Sequence, residues 1–177
     1  MVEVGCGDGT LTRALAADGY DVLGVDPEAP PGDLFRRSTL EALPDEGPFD
    51  GAFLSLVLHH VHDLGVALDK LHSLLAPGAP VVVREYGWDL VDEATARWDY
   101  ERQGRDGGLA EWRAEHEDLH GYEAMRSALD ARLRERSFEW GPFLAAHDPA
   151  EGNAAEERGL IEAGEIRAVG FVYVGLA

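Results

Sequence analysis

The chain opens as a series of short apolar runs separated by stretches of helical periodicity. Residues 1–4, 20–25, 49–56 and 79–83 are dense in valine, leucine and phenylalanine and read as strands buried on both faces. Residues 34–39 give a weaker third strand of the same kind. Between them, residues 10–17 are predicted helical with Leu11, Ala14 and Leu15 on one face. Asp63 is placed to cap a second helix, in which Leu64, Ala67, Leu68, Leu71 and Leu75 recur at helical spacing until Pro77 and Gly78 stop it. Strands alternating with helices predict an α/β domain: a mostly parallel twisted sheet with helices on both faces and right-handed crossovers.

After residue 86 the rhythm changes. Residues 87–136 are largely helical in pattern, highly charged, and hold Trp88, Trp98 and Trp112. This stretch is expected to form a helical cap inserted after the fifth strand. Residues 137–143 and 166–174 read as two closing strands, separated by a helix over 154–163 that Gly164 ends. The expected organisation is a single domain over 1–177. Residues 1–86 form its core, 87–136 the cap, and 137–177 the strands and helix that complete the sheet.

Charge and cysteine content narrow the partners. The net charge of −19 repels phosphate backbones and anionic lipid, so nucleic acid and membrane are not expected partners. One cysteine forbids an internal disulfide and suits a reducing, cytoplasmic setting. No apolar run is long enough for a membrane span, and the N-terminus carries no basic region followed by an apolar stretch.

The chemistry concentrates at two strand ends. Gly5-Cys-Gly-Asp-Gly9 sits where the first strand turns into the first helix. Backbone without Cβ turns tightly there, and free amides at the helix start attract an anionic group such as a carboxylate. Asp26 closes the second strand, where a carboxylate can accept from both hydroxyls of a ribose. Together they predict a nucleoside site at the carboxyl edge of the sheet. Thr10 stands where a dinucleotide fingerprint requires glycine, which speaks against nicotinamide or flavin.

Glu3-Val-Gly-Cys-Gly-Asp-Gly-Thr-Leu-Thr12 resembles the first motif of class I S-adenosylmethionine-dependent methyltransferases. Further matches follow in order: Gly-Val-Asp26-Pro27, Leu43-Pro44 before Phe49-Asp50, Leu58-His-His-Val-His-Asp63, and Leu75-Ala-Pro-Gly78 before an apolar strand. The resemblance covers residues 1–86. It implies a Rossmann-like sheet with an antiparallel last strand and the cofactor S-adenosylmethionine. It implies that Glu3 orients the cofactor's amino group and that Gly5 and Gly7 line its methionine part, with Cys6 and Gly9 in the same loop. Asp26, followed by Pro27, would hold the ribose; Leu40 and Glu41 would flank the adenine; Ser55 would contact the methionine end. Two departures stand out. Thr39 replaces an acid common in the family at the third strand's end. The helices that precede the family's first strand have no room before Met1, which implies a truncated start, an open site, or closure by a partner chain, with weak cofactor affinity.

The expected function is in-line methyl transfer to a small-molecule acceptor. The cofactor carries the activated group, so the protein mainly positions the acceptor, and a base is needed only where that acceptor loses a proton. Candidate catalytic residues are His59 and His60 after the fourth strand, and Tyr86 and Asp89 after the fifth. His62 and Trp88 lie beside them. The aromatics Trp98, Tyr100, Trp112 and Tyr122 are candidates for an apolar acceptor pocket, and Cys6 reads as a small filler rather than a nucleophile. Two alternatives compete. One is a methyltransferase-like subunit without catalysis, with a homodimer among the assemblies to be expected. The other is a zinc hydrolase, since His116-Glu117-Asp-Leu-His120 spells the two-histidine helix pattern with Glu117 as base; the charged surroundings and Gly121 argue against that, and no metal is expected.

Overall fold

The computed structural model describes residues 1–147 and 153–177. Seven strands form one sheet: β1 (Val2–Val4), β2 (Leu23–Asp26), β3 (Phe35–Arg37), β4 (Ala52–Ser55), β5 (Pro80–Tyr86), β6 (Arg134–Gly141) and β7 (Gly170–Leu176). Their spatial order is β3-β2-β1-β4-β5-β7-β6. The first five run parallel, and β7 runs antiparallel between β5 and β6. The order reverses at β1, so the carboxyl ends of β1, β2 and β4 open a crevice at the switch point, where ligands of open α/β sheets bind.

One face of the sheet carries most of the core. Val2, Val4, Leu54, Val81, Val83, Phe171 and Tyr173 pack in one cluster with Leu68 and Leu71 of α2 (Leu64–Ser73) and with Met125 and Leu129 of a later helix. Alternation along the strands turns Glu3, Phe53 and Val82 the other way. That face receives α1 (Thr10–Ala17), whose buried residue is Thr12. The apolar stripe expected of Leu11, Ala14 and Leu15 is therefore not what docks the helix. Thr12 faces the sheet because Gly24 of β2 has no Cβ: an added one would lie 2.5 Å from the Thr12 hydroxyl oxygen. Leu11 and Leu15 instead border an apolar groove with Tyr20, Pro48, Phe53 and Val82.

The expected strands are present with shifted ends: β2 and β4 start three residues later than expected, β7 four later, and β6 three earlier. Asp63 caps α2 by accepting from the Val66 amide at 3.0 Å. The stretch after β5 carries the helices α3 (Glu93–Arg102), α4 (Leu109–His116) and α5 (Tyr122–Asp130), and β6 begins at Arg134, inside the range expected for the cap. The helix α6 (Asn153–Ala163) ends at Gly164, whose φ of 73° is the left-handed conformation that glycine accepts freely. Among the described residues no helix is long and apolar enough to cross a membrane.

Candidate active site

The glycine loop takes the form its composition requires. Gly5, Gly7 and Gly9 have φ of 79°, 51° and 77°, all in the left-handed region. A Cβ on Gly5 would crowd the Ser55 carbonyl and Val57 at 3.1 Å, and one on Gly9 would strike the Phe35 ring at 2.4 Å. The loop is fastened to the next strand by backbone: the Gly5 and Cys6 amides both donate to the Val25 carbonyl. One Asp26 oxygen accepts from the Gly7 amide at 3.1 Å and the other from the Glu28 amide at 2.8 Å. Those two bonds aim the carboxylate across the crevice and leave lone pairs on each oxygen.

A cavity of about 760 Å³ lies at this strand-end crevice. Of the residues expected there, Gly5, Asp26, Pro27, Leu40 and Glu41 line it, and so does Thr39. Glu3, Cys6, Gly7, Gly9 and Ser55 do not. Glu3 is buried beneath α1 and accepts from the Thr12 hydroxyl, which spends one oxygen on holding the helix. Burial pushes its carboxyl up, while that hydrogen bond opposes the rise. Cys6 packs with Ala29 and Phe35, and burial, followed by the nearby Asp26 charge, raises its thiol to about 11. It is a filler, without thiolate character. Sequence reasoning missed Val61 and Val66, which form part of the opposite wall with the noted but unassigned His62. Their spacing after Leu58 carried the signal, since α2 begins in that wall.

A second cavity, of about 410 Å³, adjoins the first. Leu56 and His60 line both. Leu56 has φ of 57°, a left-handed conformation unusual for a side chain with a Cβ and frequent at ligand sites. The second cavity brings His59, His60 and Tyr86 together with Trp112, His116 and Phe143. Tyr86 stacks on Phe143 with centroids 4.2 Å apart, and Trp112 stacks on His116 at 4.1 Å. Burial, then the adjacent Glu85 charge, lifts the Tyr86 phenol to about 12, so it stays protonated near neutral pH. Burial, then the neighbouring His59, lowers His60 below its ordinary value and keeps it neutral near pH 7.

Other expectations do not meet there. Asp89 is exposed and accepts from the Tyr122 amide at 2.8 Å, so it serves the start of α5 rather than the cavity. Tyr122 packs on Trp140 and Phe171 on the far side of the sheet's end, and Tyr100 is buried under the cap. Of the four cap aromatics only Trp112 reaches the cavity. The two-histidine helix pattern dissolves because α4 ends at His116. His116 Nδ1 bonds the Trp112 carbonyl at 2.7 Å, and His120 Nε2 donates to the Val61 carbonyl at 2.8 Å, on separate structures. The pair acts as aromatic lining and as a clasp between the cap and the turn after β4.

Two buried carboxylates frame this cavity, and neither was anticipated. Glu85 accepts the Val57 and Leu58 amides at 2.7 and 2.6 Å. Glu157 of α6 accepts the Phe143, Leu144 and Ala145 amides at 2.7, 3.0 and 2.8 Å. An acid inside the apolar run Val83-Arg-Glu85-Tyr86 was the signal for the first.

Comparison with known proteins agrees with this architecture. A family model described as Methyltransferase domain matches residues 1–139. The ubiquinone biosynthesis O-methyltransferase of Azorhizobium caulinodans is 31% identical over 56% of this chain and 51% of its own length. An uncharacterized methyltransferase of Mycobacterium tuberculosis is 35% identical over 47% of this chain and 48% of its own. The chain thus spans about half the length of the curated relatives it matches. Among solved structures, an S-adenosylmethionine-dependent methyltransferase from Mesorhizobium loti superposes with a TM-score of 0.65 at 20% identity, covering 99% of this chain and 90% of that one. The geranyl diphosphate C-methyltransferase of Streptomyces coelicolor A3(2) follows with 0.61 at 16% identity, covering 99% of this chain and 69% of that one.

Proposed function

The chain belongs to the methyltransferase-domain family, and from that premise we propose that it transfers a methyl group from S-adenosylmethionine to a small molecule. The carrying observation is the pair of adjoining cavities that share Leu56 and His60 as a common wall. Such a wall lets a donor in one cavity meet an acceptor in the other at contact distance.

The larger cavity suits the cofactor. It has a carboxylate at the end of β2, a bare-backbone turn at Gly5 that a Cβ would fill, and apolar walls from Leu40 and Val61. Asp26 would hold the ribose hydroxyls, Leu40 and Glu41 would flank the base, and the Gly5–Gly9 turn would take the aminoacyl end. Bound there, the cofactor supplies an electrophilic methyl group on a sulfonium. The smaller cavity would hold the acceptor against the Tyr86–Phe143 and Trp112–His116 stacks, with His59 and His60 facing its reacting atom. Residues between Val4 and Val66 would wall the donor, while Leu56, His59, His60 and Tyr86 would join the cap helices, Phe143 and Leu144 around the acceptor. Among the described residues no three His, Cys, Asp or Glu side chains converge as a metal set.

Calorimetric titration with S-adenosylhomocysteine tests the proposal. Saturable binding that Asp26→Ala weakens is the expected result; absence of binding by the folded wild type overturns it.

A further inference from the structure

Glu85 is the last acid of β5 and has no exposed surface. Its Oε1 accepts two backbone amides, and its Oε2 lies 2.6 Å from His59 Nδ1. A carboxylate fed by amides accepts and does not donate, so the shared proton sits on His59 Nδ1. In the neutral ring Nε2 then carries the lone pair, and His59 lines the smaller cavity. Among the described residues no hydrogen bond to Nε2 is found.

The competing bases in that cavity are otherwise engaged. Asp99 is held by Arg102 and Glu115 by Arg105. His60 has no orienting hydrogen bond among the described residues, and its ring leans on His59 at 4.1 Å. Among the described residues His116 is oriented by the Trp112 carbonyl and has no carboxylate behind it. Only His59 combines a fixed tautomer, a carboxylate behind it, and a place beside the shared wall at Leu56 and His60.

We propose that Glu85 and His59 form a carboxylate–imidazole dyad that takes the proton from an acceptor hydroxyl, making this an O-methylating site for phenol-type molecules. The proposal rests on the methyl-transfer reading above. A base at this position is useful only to an acceptor that must lose a proton, and the stacked aromatic walls fit a planar ring. His59 Nε2 takes the hydroxyl proton as the oxygen's electron pair forms the new O–C bond. The sulfur retains the pair of the S–C bond that breaks, so a sulfonium and a phenol become a thioether, a methyl ether and one proton. The imidazolium then lies against the Glu85 carboxylate until solvent takes that proton. Glu85 is a positioning residue: it sets the tautomer and, through the Val57 and Leu58 amides, holds the turn that places His59.

The test uses nitrogen-15-labelled histidine and does not depend on turnover. Long-range nitrogen–proton spectra of the unliganded protein are expected to show His59 as the Nδ1–H tautomer, and E85Q to convert it to Nε2–H, because the amide then donates to Nδ1. With catechol as acceptor probe, E85Q and H59N are each expected to lower kcat by roughly 10²–10⁴-fold. KM for catechol and S-adenosylhomocysteine affinity should stay within a few-fold. In H59N the asparagine amide keeps a donor near Glu85, so that variant retains the turn if E85Q fails to fold. An Nε2–H tautomer in the wild type, near-normal kcat in H59N, or no turnover of catechol by a protein that binds S-adenosylhomocysteine overturns the dyad. Failure of the wild type to bind S-adenosylhomocysteine overturns the methyl-transfer reading itself.

Discussion

The two cavities are built from different materials. The larger one is walled by residues 4–66, largely by a glycine turn, strand ends and the start of one helix. The smaller one draws on the turn after β4, the end of β5, α3, α4 and the segment after β6. Its shape depends on side chains and on two buried carboxylates that each gather backbone amides from a turn. The first is specified by short-range backbone conformation and the second by contacts between distant segments. A change in the first should strike binding with local effect, and a change in the frame of the second should strike the fold.

The sharpest separation is expected at Glu157. Glu157→Ala strands three buried amides, and charge-assisted bonds are individually worth about 1.5–3 kcal/mol, so a stability loss near 4 kcal/mol is expected by urea denaturation. A loss under about 1 kcal/mol would mean that the carboxylate does not frame the cavity. Asp26→Ala comes next: two charge-assisted contacts to a ribose predict about 100-fold weaker S-adenosylhomocysteine binding, or roughly 2.7 kcal/mol, with the unfolding midpoint changed far less. If stability fell as much as binding, the contrast between the cavities would be lost.

Gly9→Ala should cost about 2 kcal/mol, combining the left-handed penalty with a clash against the Phe35 ring. Thermal melting would register it as a shift of several degrees. Tyr86→Phe is a smaller perturbation. With its phenol lifted to about 12, Tyr86 stays protonated and does not act as base, so kcat should drop by less than tenfold and its pH profile should keep its shape. The smallest effect belongs to His60. Its folded value lies below the ordinary one, so above the ordinary value both folded and unfolded forms are neutral. As pH falls through the ordinary value toward the folded one, the unfolded chain binds the proton first and stability is lost. His60→Asn should flatten that acid limb in urea midpoints taken between about pH 7 and 5.

Legibility followed the same division. Strand and helix positions in the first half of the chain were readable because apolar runs, Asp63 and the glycines act within a few residues of themselves. Asp26 was readable for that reason. Leu11 and Leu15 misled: their spacing marks an apolar face, but the space left by Gly24 decides that Thr12 faces the sheet. Asp89 misled too, since an acid after a strand can serve a nearby site or cap a helix that starts 33 residues later. The two-histidine pattern held only as long as a continuous helix was assumed.

By itself the sequence determined the α/β alternation, the left-handed turn at Gly5, Gly7 and Gly9, and the carboxylate that ends β2. Each is set by backbone sterics or burial acting over a short stretch. Tertiary structure alone decided where Glu85 and Glu157 go, which imidazole gains a carboxylate behind it, and which cap aromatics meet the cavity. Those partners lie far apart in the chain, and the physical reason is that a buried carboxylate must find its donors wherever the packed segments present them.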